Sequence, residues 1–285
     1  MPAGTSLPIA LVQMNSQSNA AANIETALRL IDEAAATGAR LIALPEVWTF
    51  LGEPEGCFAA AQRIPGPVSE QLADRARRHR VFLHGGSYLE RVGEDGMVLN
   101  TTVVFNPDGD EIARYSKIHM FDVVLDGVAS YQESALVTPG EKIVTFDVDG
   151  LTVGLAICYD LRFPELFRIL ALRGAQMIML PAAFTMTTGK DHWEVLIRAR
   201  AIENGVWMAA PAQIGMHPPG KWCYGRSMVV DPWGTVVATA PDMETVVPAT
   251  ITAARVDAVR RQVPSLANRR PSAYAWPDVV ARRAD

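Results

Sequence analysis

The segment Gly38-Ala-Arg-Leu-Ile-Ala-Leu-Pro45 returns as Gly174-Ala-Gln-Met-Ile-Met-Leu-Pro181, each time after an amphipathic helical pattern. A second pair, Val104-Phe-Asn-Pro-Asp-Gly109 and Val229-Val-Asp-Pro-Trp-Gly234, recurs at an offset of about 125 residues, against about 136 for the first. Matched segments at matched offsets imply two related halves, and related halves must bury equivalent faces. Strand and helix signals alternate through both halves, which calls for an α/β fold. Two sheets, each covered by helices on one face and by the other sheet on the opposite face, give a four-layer α-β-β-α sandwich. No linker composition interrupts the chain. One domain over residues 1–285 is therefore expected, with a core over about 7–262 and a C-terminal tail over about 263–285.

The spacing of apolar residues predicts strands over Leu7–Met14, Arg40–Leu44, Val81–Leu89, Met177–Leu180, Val206–Gln213 and Val246–Thr252. Hairpins are expected over Thr101–Tyr115, Ile143–Ile157 and Met228–Thr239, turning at Asn106–Gly109, Asp147–Gly150 and Asp231–Gly234. Helices are expected over Asn19–Ala36, with Ile24, Leu28, Ile31 and Ala35 on the buried face, and over Ser69–Arg80, Asp191–Asn204 and Arg255–Gln262.

Composition excludes several classes. A net charge of −5 gives no footprint for nucleic acid, and no run approaches the roughly 18 apolar residues of a membrane span. Met1–Thr5 shows no basic, then apolar, secretory opening. Three distant cysteines, Cys57, Cys158 and Cys223, and five histidines without metal spacing argue against a disulfide scaffold or a metal centre. A cytoplasmic protein needing no cofactor or metal, and binding neither nucleic acid nor membrane, is expected.

Cys158 ends the buried run Leu151–Ile157 and precedes Tyr159-Asp-Leu-Arg-Phe-Pro164, the opening of a helix. A thiol at a strand end before a helix is well placed to serve as a nucleophile; a buried cysteine acting as a small hydrophobe is the plain alternative. The histidines are poor partners for it. Glu46 is better: it follows the buried Leu41-Ile-Ala-Leu-Pro45 beside Trp48, where desolvation suits an acid to act as a base. Lys117 ends the first Asn-Pro hairpin and, alone, reads as an edge cation.

Together, Pro45-Glu46, Tyr115-Ser-Lys117-Ile-His and Ile157-Cys158-Tyr-Asp160-Leu-Arg162-Phe-Pro-Glu165 resemble the three signature segments of the nitrilase, or carbon–nitrogen hydrolase, superfamily. The resemblance runs from about Leu7 to Tyr274 and agrees with the two-halves sandwich. It implies Cys158 as nucleophile, Glu46 as general base, Lys117 as oxyanion stabiliser and Glu133 as a second acid. The backbone N–H of Tyr159 would join Lys117 on the oxyanion, and a helix N-terminus would add a favourable dipole.

Tyr131-Gln-Glu-Ser134, Phe184-Thr-Met-Thr-Thr-Gly189 and His192-Trp-Glu194 are similar to the omega-amidase and deaminated-glutathione amidase branches. These imply hydrolysis of the terminal amide of a small, carboxylate-bearing monoamide to carboxylate and ammonia. Arg162 either grips the substrate carboxylate, with Thr187 or Thr188 as hydroxyl donors, or pairs with Asp160 or Glu165. Aliphatic or aromatic amides and N-carbamoyl amino acids remain alternatives, since Gly215-Met-His-Pro-Pro-Gly-Lys-Trp-Cys-Tyr224 departs from the branch pattern. A silent binding scaffold and a redox-sensing thiol are the readings outside amide hydrolysis. The family also implies a homodimer or higher homo-oligomer, with the Arg269–Trp276 tail crossing between subunits.

Overall fold

A computed structural model describes residues 6–93, 97–125 and 129–274. The first half supplies β1 (Ser6–Gln13), β2 (Leu41–Ala43), β3 (Phe82–His84), β4 (Tyr88–Arg91), β5 (Val98–Phe105) and β6 (Glu111–Ser116). The second supplies β9 (Thr145–Val148), β10 (Leu151–Leu155), β11 (Met177–Met179), β12 (Trp207–Ala210), β15 (Met228–Val230) and β16 (Val236–Thr239). The last strand, β17 (Thr245–Thr252), returns to pair antiparallel with β1.

The repeat is visible in the pairing. β1, β2 and β3 run parallel, then β5 and β6 follow antiparallel; β10, β11 and β12 run parallel, then β15 and β16 follow antiparallel. An antiparallel strand flanks each series, β17 beside β1 and β9 beside β10. Even the register slips coincide: β5 shifts between Val104 and Phe105, β15 between Val229 and Val230.

Alternation decides the layers, because successive strand residues point to opposite faces. Leu7, Ile9 and Leu11 of β1 enter one core with Val153, Leu155 and Met177 of the other sheet. Ala10, Val12 and Met14 face the opposite way, onto α1 (Ala20–Ala36) and α3 (Pro67–His79). On the far side, α4 (Pro164–Leu172) and α5 (Met186–Asn204) cover the second sheet, and α6 (Ala253–Gln262) packs on β17. The α-β-β-α sandwich is the fold.

The elements differ from expectation where local chemistry intervenes. The strand expected over Val81–Leu89 is two, broken at Gly85-Gly86; Gly86 lies at φ +61°, and a Cβ there would meet the Pro45 carbonyl at 2.1 Å. The buried face of α1 is Ala27, Leu30, Ile31 and Ala34, with Ile24, Leu28 and Ala35 at its edge. Alanines in the centre let the helix approach the sheet closely. α5 starts five residues earlier than expected, its polar Thr-Thr-Gly first turn hiding the helical period. The segment after Cys158 is a 3₁₀ helix, Cys158–Arg162, and α4 begins only at Pro164. Proline disfavours helical conformation in the residue before it and suits a first turn.

Five elements were not expected: α2 (Pro54–Ala60) and the strands of two ribbons, β7 (Asp122–Leu125) with β8 (Ala129–Gln132), and β13 (Ile214–His217) with β14 (Lys221–Tyr224). The tail beyond Tyr274, including part of the stretch expected to cross between subunits, lies outside the described residues.

Candidate active site

Glu46 follows the end of β2, Lys117 the end of β6 and Cys158 the end of β10; Glu133 opens a short 3₁₀ turn after β8. Four separate strand ends thus converge on one place. Two of the junctions are strained. Val47, next to Glu46, has φ +43°, and Cys158 itself has φ +45°. For side chains other than glycine such conformations cost roughly 1–3 kcal/mol and persist only where surrounding contacts enforce them.

The structure brings Glu46, Lys117, Glu133 and Cys158 together. Lys117 is 2% exposed; its Nζ donates to Glu46 Oε1 at 3.1 Å and to Glu133 Oε1 and Oε2 at 2.9 and 2.8 Å. Glu46 also accepts from Asn100 Nδ2 at 2.9 Å and from the Ala183 N–H at 2.7 Å. Glu133 Oε2 accepts the Phe121 N–H at 2.6 Å. Glu46 and the Ala183 N–H both lie close to the Cys158 thiol.

These contacts set the charges. Burial disfavours the Lys117 ammonium, but Glu133 and Glu46 outweigh it and hold its pKa well above the usual lysine value. Burial and the charge of Glu46 push the Cys158 thiol well up, with Lys117 acting against them. The resting centre is therefore a neutral thiol beside two carboxylates and one ammonium.

Arg162 pairs with neither Asp160 nor Glu165; among the described residues it makes no ion pair. Its guanidinium lies over the rings of Tyr159 and Phe184, at 5.7 and 5.3 Å, and approaches His192 Nδ1 at 3.3 Å. Tyr159 is half-buried and stands edge-on to Phe121 at 5.1 Å. Thr188 Oγ1 meets Thr185 Oγ1 at 2.9 Å in the first turn of α5, while Thr187 is exposed. The Tyr159 amide opens a 3₁₀ turn and so has no intrahelical acceptor, but the five-residue turn is too short to supply the expected helix dipole.

Several buried polar residues of the site were given no role at the site by the sequence. Asn100, Asp160 and Gln213 are buried polar residues; Gln213 Nε2 donates to the Glu46 carbonyl at 3.0 Å. Each has a partner 41 to 197 residues away in sequence, so no spacing signals these contacts. The unexpected ribbons form the surroundings of the site. Cys223 on β14 is buried, close enough to Glu46 for its charge to help push the thiol up to about 12, behind burial. Lys221 lies two residues earlier, on the same face of the strand, with Nζ 4.4 Å from the Tyr131 ring of β8. Tyr131 in turn contacts Phe121.

A fold of two matched sheets carrying a Glu, a Lys and a Cys at strand ends defines a class of enzyme, and comparison identifies the class. The profile of the carbon–nitrogen hydrolase family matches residues 8–261, and the chain belongs to this family. A deaminated glutathione amidase from Synechocystis sp. is 42% identical over 264 residues, covering 91% of this chain and 97% of the relative. Human omega-amidase NIT2 is 38% identical over 271 residues, covering 95% and 98%. The crystal structure of the C. elegans NitFhit protein superposes with a TM-score of 0.90 at 36% identity, covering 96% of this chain and 67% of that one. The resemblance drawn from the three motif segments is borne out.

Proposed function

We propose that the chain is an amidase that hydrolyses the terminal amide of a small, carboxylate-bearing monoamide to carboxylate and ammonia. The observation that carries this reading is the Lys117 ammonium held by Glu46 and Glu133 beside the Cys158 thiol. In the proposed sequence Glu46 takes the thiol proton as sulfur attacks the amide carbon. Lys117 and the Tyr159 N–H then hold the developing oxyanion. Glu46 returns the proton to nitrogen, ammonia leaves, and a thioester remains on Cys158. Water, deprotonated by Glu46, attacks the thioester and releases the acid, restoring the thiol. Glu133 keeps Lys117 charged and oriented throughout.

Arg162 is the anchor for the substrate carboxylate, with Thr188 the nearer hydroxyl and Thr187 at the rim. Support comes from its position, one 3₁₀ turn beyond Cys158, with aromatic rings behind it and no ion-pair partner among the described residues. The chain acts as one domain over residues 1–285, in the cytoplasm, as a homodimer or higher homo-oligomer. No helix among the described residues is long and apolar enough to cross a membrane.

A second reading is favoured by the aromatic residues beside Tyr159. The Tyr131–Phe121–Tyr159 rings with Lys221 at one end would suit an amide longer than a simple monoamide, such as the deaminated glutathione named for the Synechocystis relative.

Ammonia release from 2-oxoglutaramate, succinamate, glutaramate and neutral aliphatic amides, together with cleavage of deaminated glutathione, separates these readings. Turnover of the acidic monoamides should be abolished by Cys158→Ala. In Arg162→Met, KM for them should rise by about 10- to 100-fold, as expected for a lost charge-assisted bidentate contact. Equal KM in the Arg162 variant would remove the carboxylate anchor; no turnover of any amide by the wild type would return the scaffold reading.

A further inference from the structure

Asp160 is fully buried, yet no step above uses it. Its carboxylate accepts from four donors. Oδ2 takes the Tyr115 hydroxyl at 2.7 Å and the Ile157 N–H at 2.8 Å. Oδ1 takes the His119 N–H at 3.2 Å and His119 Nδ1 at 2.7 Å. An ionised carboxylate offers about four lone-pair sites, and here each has a donor.

The donors are not scattered. Tyr115 and His119 stand two residues before and two residues after Lys117, and Ile157 directly precedes Cys158. One carboxylate therefore ties the segment carrying the ammonium to the segment carrying the thiol. The His119 ring is gripped from the thiol's side a second time, stacked 3.6 Å from Phe163 at an interplanar angle of 6°. Cys158, between Ile157 and Asp160, sits at φ +45°, and its own N–H donates to the Pro181 carbonyl at 2.9 Å. A left-handed cysteine needs such enforcement.

A buried carboxylate is seldom the most stable way to fill a core, since apolar residues of similar volume often do as well. What four fixed donors supply is geometry. We infer that Asp160 is a positioning residue: it sets the spacing of Lys117 and Cys158 and holds Cys158 in its strained conformation. The inference rests on the roles proposed above for those two residues.

The test compares Asp160→Asn and Tyr115→Phe in the full-length enzyme, with Val153→Ala in β10 as a core variant that removes none of the clamp's hydrogen-bonding groups. The readouts are kcat and KM on the best amide, the rate of Cys158 alkylation by iodoacetamide, and Tm. Asp160→Asn keeps the shape but turns an N–H toward a donor. Its kcat should fall about 100-fold with KM changed by no more than about 3-fold, the size expected for a misplaced reacting group. Alkylation should slow with it. Tyr115→Phe should lose about 10-fold, and the double variant no more than Asp160→Asn alone, because both act through one clamp. Wild-type kcat and alkylation in a folded Asp160→Asn, or the same losses in Val153→Ala at equal Tm, would overturn the assignment. Should Asp160→Asn fail to fold, Tyr115→Phe and His119→Asn carry the same comparison. Alkylation needs no substrate, so it decides this inference even where the amidase reading fails.

Discussion

Lys117 joins two acids that would otherwise repel one another inside the protein. Both Glu46 and Glu133 reach its ammonium, and the three side chains have little access to water: 2% for Lys117, 5% for Glu46 and 18% for Glu133. Breaking a buried ion pair by removing one partner typically costs about 3–5 kcal/mol, because the other charge is left uncompensated. Lys117→Met should therefore lose activity by at least about 100-fold, as for a deleted oxyanion donor. It should also lose stability of that order at pH 7, measured by urea unfolding. Stability equal to the wild type at pH 7 would mean that the acids are not held by Lys117. At this scale Cys158 and Glu46 drew notice by their places at the ends of buried strands, but only the resemblance gave them roles. Lys117 and Glu133 were legible only through the resemblance, for alone each reads as a surface charge. Ala183 was not legible at all: it contributes a backbone N–H, and the sequence marks no side chain there.

At the scale of elements, β3 shows how a strand supports the site beyond its own length. His84, its last residue, is wholly buried and makes its ring nitrogen Nδ1 the acceptor of the Gly86 N–H at 3.2 Å. Gly86 in turn lies against the Pro45 carbonyl, next to Glu46. Burial lowers the His84 pKa from 6.5 to about 3, so the folded protein keeps this ring neutral where the unfolded chain would protonate it. Between those values the unfolded state binds the extra proton, and stability is lost as pH falls. The wild type should lose up to about 1.4 kcal/mol per pH unit from this group below pH 6.5. His84→Asn, whose Oδ1 can replace Nδ1 as acceptor, should show a shallower slope between pH 6.5 and 5. Equal slopes would show that His84 titrates normally. The strands themselves were readable because β-branched, apolar runs end at Asn-Pro-Asp-Gly or Asp-Pro-Trp-Gly turns. α2 and the two ribbons were not. α2 buries none of its residues, and the ribbons are four-residue strands with exposed or polar positions, so no apolar period sets them apart from loops.

Across the whole molecule, duplication explains why the acid and its main-chain donor meet. β2 and β11 lie in the repeated segments, each followed by Leu-Pro, and the sheets pack so that their ends adjoin. After the first Leu-Pro comes Glu46; after the second comes Ala182-Ala183, whose N–H donates to Glu46 at 2.7 Å. One copy supplies the acid and the other the backbone donor. Cys158 and Lys117 likewise come from opposite halves, so neither half alone holds the proposed centre. The account turns on a covalent bond to one sulfur. Its most direct measurement is the mass of enzyme quenched in acid during turnover of an acidic monoamide, followed by peptide mapping. The account predicts an acyl adduct, heavier by the substrate less ammonia, on the peptide containing Cys158 and absent from Cys158→Ala. Turnover with no adduct on Cys158, or an adduct that maps to Cys57 or Cys223, would contradict it.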